Sequence, residues 1–179
     1  MTTDTAGSMP RPRYATLAAV VAVLLGLGSA GISAYWASGG TGLLDTVGGD
    51  IERWGRQREG SVVAALWAVA VLKAGVALAA PAVVGMPPSL PPWTRGRVAR
   101  ILSWIAACVL AVYGALLTIP GLLIQTSVLD VGPASDPKAL AWHAYLWDPW
   151  FFVWGLAFII CLWLTRRPRR RTGSPGAPR

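Results

Sequence analysis

Residues 15–37 read ATLAAVVAVLLGLGSAGISAYWA, a run without a single Asp, Glu, Lys or Arg. At about 1.5 Å per helical residue it outreaches the ~30 Å hydrocarbon core of a bilayer. Helix is preferred to strand because backbone groups in lipid must be satisfied within the segment, and the chain has no short alternating runs punctuated by turns. Arg11 and Arg13 before the run and small residues at its end also fit a secretory signal. The apolar stretch, however, exceeds the ~7–15 residues of a signal's centre, so an uncleaved anchor is predicted.

Three further runs are long and apolar enough to cross, at about 61–84, 99–125 and 149–165, with Lys73 and Arg100 the charged residues within them. The predicted fold is all-α: a polytopic membrane protein whose residues 15–165 form four transmembrane helices in one bundle. An N-terminal tail, 1–14, and a basic tail, 166–179, flank it; the latter is too rich in Arg, Pro and Gly to build a core. Only 13% of the 179 residues are charged and the mean hydropathy is +0.51. Soluble domains average ~25% charged, so a water-soluble enzyme is excluded.

Lys and Arg are unevenly shared between alternate sides. The N-terminal tail, the second connection (Arg95, Arg97, Arg100) and the C-terminal tail carry eleven; the opposite side carries Arg53, Arg56, Arg58 and Lys138. The richer side is predicted to be cytoplasmic, which puts both termini there. The net charge of +8 therefore serves orientation, and no nucleic-acid partner is expected. Fourteen Arg against two Lys, with abundant Ala and Gly, suggest a GC-rich, actinobacterial source and so a multi-pass protein of the bacterial inner (cell) membrane. Beyond the bilayer itself, the Arg166–Arg171 cluster is expected to meet anionic lipid headgroups.

Prolines between Met86 and Trp93 predict a stiff, extended spacer. Gly39-Gly40 and Gly48-Gly49 lack the Lys and hydroxyl of a phosphate loop and read as turns. Small residues at four-residue spacing mark contact faces in lipid: Ala22, Gly26, Ala30 and Ala34 beside Ser29 and Ser33, and Ala107, Ala111 and Ala115. Cys108 and Cys161 read as core. Pro120 predicts a bend, with Thr118 helping the carbonyl that Pro120 frees at Leu116. Asp148 reads as the cap of the last helix, with Pro149 at its first position and Trp147 stapled to Phe152.

Lys73 is the anomaly. It falls near the middle of the second span, where an ammonium costs about 2.5–3.5 kcal/mol on insertion scales. Tyr113 and Thr118 lie at comparable depth, whereas Asp148 and Glu59 are placed at the outer boundary. A snorkelling lysine and a functional one both remain open. Tyr35, Trp36, Trp54, Trp67, Trp142, Tyr145, Trp147, Trp150 and Trp154 crowd the outer half. An interfacial belt with ordinary core packing explains them, and so does an aromatic-walled outer cavity suited to an amphiphile or a cation, with Trp67 and Trp154 reaching inward. His143, the single histidine, reads as solvent-facing or interfacial. It excludes bis-histidine haem, and Asp136 and Asp148 lack zinc-ligand spacing, so no metal or cofactor is expected. No catalytic constellation appears either.

Two stretches resemble the DUF3995 family of small actinobacterial membrane proteins of unknown function: Tyr35-Trp36-Ala37-Ser38-Gly39-Gly40 and Leu146-Trp147-Asp148-Pro149-Trp150-Phe151-Phe152-Val153-Trp154-Gly155. The resemblance spans residues 15 to about 165. It implies four membrane helices and no activity, cofactor or catalytic residue. Where the family often has a histidine, two residues before Tyr-Trp, this chain has Ser33, so no imidazole role carries over there.

The expected function is a non-enzymatic membrane or accessory protein whose aromatic outer end contacts a lipid, a small amphiphile, or a partner protein or second copy. The candidate residues are Lys73, Tyr113, Tyr35, Trp36, Trp147, Asp148, Trp150 and Trp154. The alternative is a small oligomeric transporter or proton-coupled carrier in which Lys73 titrates.

Overall fold

The computed structural model describes residues 13–86, 89–130, 132 and 136–166. Four helical stretches are long and apolar enough to cross a membrane: Arg13–Ala37, Gly60–Val84, Arg97–Gln125 and Pro137–Leu164. The first three, α1, α3 and α4, begin and end within two residues of the predicted spans. A short helix that the sequence reading did not anticipate, α2 (Gly49–Gln57), lies between α1 and α3 and carries its own ion pairs, Asp50–Arg53 and Glu52–Arg56. The basic cluster from Arg167 onward and residues 1–12 lie outside the described residues.

The fourth span corrects the sequence reading most. It starts at Asp136-Pro137, not at Asp148-Pro149: the Asp136 carboxylate accepts the Ala139 N–H at 2.9 Å and Pro137 takes the first helical position. α5 (Pro137–Trp142) then passes through a π-helical turn (His143–Trp147) into α6 (Asp148–Leu164). Asp148 caps nothing, because its own N–H already bonds the His143 carbonyl in the π pattern. Pro149, which has no N–H, is tolerated where the hydrogen-bond ladder is already shifted. The predicted Trp147 staple is replaced by an edge-to-face contact with Trp36.

Packing is built on small residues, since lipid supplies no hydrophobic drive between helices. α1 lies between α3 and α6, α6 packs on α4, and α3 and α4 meet sparingly. Ala22, Gly26, Ser29, Ala30 and Ser33 are all buried, as the four-residue spacing predicts; Ala34 is only partly so. A side chain at Gly26 would strike Ala77 and Trp154. Gly114 and Gly155 let α4 and α6 approach until a Cβ on either would land on the other's backbone. Trp154, Phe158 and Leu162 fill the centre with Ala77, Ala80 and Ala107.

Three smaller expectations change. Cys161 is buried, but Cys108 is exposed. Among the described residues Thr118 Oγ1 is buried without a partner; it does not serve the Leu116 carbonyl, which is only two residues back where a helical threonine reaches three or four. Pro91 keeps an extended backbone (φ −55°, ψ 145°), yet the chain then coils into a 3-10 turn at Pro92–Arg95. At the end of the bundle that holds Arg13 and Arg166, Arg100 donates to the Leu162 carbonyl at 2.6 Å, tying α4 to the last turn of α6. Arg166 lies 4.8 Å over the Trp104 ring.

Candidate functional site

The end of the bundle opposite Arg13 and Arg166 is closed by the residue 38–59 segment folding back onto α5 and the π turn. Gly39 (φ 103°) lets the chain leave α1, and Gly48 (φ 67°) lets it enter α2; both backbones sit where a side chain is strained. Trp36 Nε1 donates to the Gly42 carbonyl at 2.8 Å, and Trp147 Nε1 donates to Thr46 Oγ1 at 3.1 Å. Lys138 bonds Asp45, joining this segment to α5 and holding the Asp45 carboxyl below its ordinary range. The result is a partly open cavity of about 330 Å³ lined by α1, α2, α3, α4, the π turn and the start of α6.

Lys73 enters this cavity from α3. Its Nζ donates to Ser33 Oγ of α1 at 3.0 Å and lies 5.2 Å from the Phe151 ring centroid, a cation–π distance. The side chain thus bends toward the distal end, as a helical side chain leaning to its own N-terminus should. Among the described residues no carboxylate pairs with it.

Asp148 lines the same cavity, against the expectation that it stays at the boundary. The span begins twelve residues earlier than predicted, which carries Asp148 about 16 Å inward along the helix. It is 3% exposed, and each of its oxygens lies 3.3 Å from His143 Nδ1. His143 Nε2 is 3.2 Å from the Val47 carbonyl, which only accepts, so that nitrogen carries a proton. A hydrogen bond between Nδ1 and Asp148 then requires a second proton on that line. Imidazolium with carboxylate and imidazole with carboxylic acid both sum to zero charge. The tautomer follows from these partners.

His143 is therefore half-buried and bonded, correcting its solvent-facing reading. The signal that could have found it is its five-residue spacing from Asp148, which becomes a contact only in a π turn. Of the eight residues singled out, Lys73, Tyr113, Trp36, Trp147 and Asp148 line the cavity. Tyr35 is exposed and its hydroxyl accepts the Gly42 N–H; Trp150 donates to the Leu25 carbonyl at 2.9 Å; Trp154 is core. Trp67 does not wall the cavity either; Trp54, one of the outer aromatics, does, and so do Phe151 and Ser33, which were missed. Among the described residues no three His, Cys, Asp or Glu side chains come together as metal ligands. A second, larger cleft of about 700 Å³ between α3 and α4 has no titratable group among the described residues of its lining.

No curated protein and no solved structure matches the chain. Residues 26–158, about three quarters of it, match the profile of a family described as "Protein of unknown function (DUF3995)". That segment runs from the middle of α1 into α6 and takes in Ser33, Lys73, Tyr113, His143 and Asp148. The chain belongs to the DUF3995 family, proteins of unknown function.

Proposed function

We propose that this is a non-enzymatic protein of a bacterial inner membrane, with both termini cytoplasmic, that holds a small amphiphile in its distal, extracytoplasmic cavity. The observation that carries the reading is the cavity itself. Its polar groups, Lys73, Ser33, Tyr113 and the His143–Asp148 pair, share it with apolar and aromatic walls from Ile32, Trp36, Ile51, Leu66 and Phe151. Such a mixture, mostly apolar with a few convergent polar groups, is the usual character of a small-ligand site.

Ser33 Oγ and Lys73 Nζ have the separation of a nucleophile and its base, but Ser33 is 2% exposed. The backbone facing it is helical, with its N–H groups already used, so oxyanion donors are lacking. Failure of a fluorophosphonate probe to label Ser33 is expected; labelling would move the protein to the enzymes. Ligand binding is tested by filling the cavity: Val69→Trp should abolish retention of amphiphiles detected by native mass spectrometry while the protein still folds. Unchanged retention would remove the cavity from the account. Reporter fusions that put the two termini on different sides would overturn the orientation.

A second reading, a proton-coupled carrier acting as an oligomer, is favoured by one observation: Lys73 shares the cavity with the hydrogen-bonded His143–Asp148 pair. Proton uptake by vesicles containing the protein, lost in Lys73→Met, would select it.

A further inference from the structure

We infer that the cavity's ligand carries an anionic headgroup, a carboxylate or a phosphate monoester, that pairs with Lys73. This rests on the amphiphile-binding reading and names the chemistry of its ligand. The inference follows from a charge balance over the site. His143 and Asp148 together contribute no net charge in either arrangement of their shared proton. Tyr113 on α4 is a neutral phenol at pH 7. Around the rim Asp45 pairs with Lys138, Asp50 with Arg53 and Glu52 with Arg56, and the neighbouring Arg58 and Glu59, which do not line the cavity, are of opposite sign. Lys73 is left as the one charge in the cavity lining without an opposite partner among the described residues.

The contacts of Lys73 leave room for such a partner. An ammonium has three donors; one goes to Ser33 Oγ and one face lies against Phe151. The remaining ammonium donors can meet one anionic group, while the Asp148 carboxyl, the one acidic group in the lining among the described residues, already faces His143. The remaining walls are apolar, with Ile51, Val62, Leu66 and Val69 able to take a hydrocarbon tail. A volume of about 330 Å³ equals about eleven waters at ~30 Å³ each, which fits a headgroup with a medium-length chain.

The test is binding of four ten-carbon probes to the full chain in maltoside micelles, titrated by native mass spectrometry: decanoate, decyl phosphate, decanol and decyltrimethylammonium. Decanoate or decyl phosphate should bind at least tenfold more tightly than decanol, and the tighter of the two identifies the headgroup class. Lys73→Met should remove that advantage and leave decanol within about twofold, while Lys73→Arg keeps it. Should Lys73→Met accumulate poorly, Lys73→Gln serves, with a thermal melt confirming its fold. Equal binding of decanoate by the wild type and Lys73→Met, or decyltrimethylammonium binding as tightly as decanoate, overturns the inference while decanol binding preserves the cavity reading. Failure of all four probes to bind overturns both.

Discussion

His143 and Asp148 face each other although five residues separate them, with Nδ1 3.3 Å from both carboxylate oxygens. In an α-helix, positions five apart are turned about 140° from one another. The π turn at His143–Trp147, whose bonds run between residues five apart, brings them onto one face. The local distortion thus creates the pair, and the pair in turn holds the Val47 loop.

The partnership predicts different fates for two substitutions. Asp148→Asn still offers a donor to a neutral Nδ1 and should lower stability by less than about 1 kcal/mol. Asp148→Ala leaves Nδ1 buried without a partner and should cost about 1–3 kcal/mol. Thermal unfolding in detergent separates them; equal losses would show that no hydrogen bond joins the pair.

Glycines in the bundle should divide sharply. Gly114→Val and Gly155→Val force α4 and α6 apart at the backbone and should cost at least about 1–3 kcal/mol each, as overpacking does. Gly31 and Gly75 have open space at their Cβ positions, so Gly31→Ala and Gly75→Ala should be neutral or stabilise by up to about 1 kcal/mol. Unfolding midpoints check the order, and comparable losses at all four would refute the crossing geometry.

The spans were legible because apolar runs near twenty residues have few alternatives in lipid, and the α1 stripe because small residues every fourth position have one physical use there. The start of the fourth span misled because the chain contains two Asp-Pro pairs. Asp136-Pro137 performs the capping that Asp148-Pro149 advertises, and only the π turn explains how the second pair survives inside a helix. That one shift also hid the site, since it moved Asp148 from the boundary to the cavity of Lys73. Lys73 itself was legible, as any charge in mid-span is. Its partner Ser33 was not, because a serine on a small-residue stripe looks the same whether it packs or bonds.

Trp154 fills the centre of the bundle at 1% exposure, and its Nε1 is buried with no partner among the described residues. Phenylalanine would lose volume but no hydrogen bond, so Trp154→Phe should cost less than about 1.5 kcal/mol, whereas Trp154→Ala should cost about 3–5 kcal/mol through the cavity it leaves. Chemical unfolding of both variants is the measurement. A Phe variant as weak as the Ala variant would mean that the indole N–H has a partner after all.

The Asp45–Lys138 contact joins the distal segment to α5 outside the apolar part of the spans. Lys138 holds the Asp45 carboxyl below its ordinary range, so the native state favours the ionised form. With the folded pKa depressed, the contact stabilises above the unfolded value of about 3.9 and is lost as pH falls through the folded one. Lys138→Met should therefore lower the melting temperature slightly at pH 7 and by progressively less below pH 4. Both side chains are exposed, so the pH 7 difference should also shrink in high salt. A difference that persisted unchanged at pH 2.5 would show that Lys138 acts through packing and not through its charge.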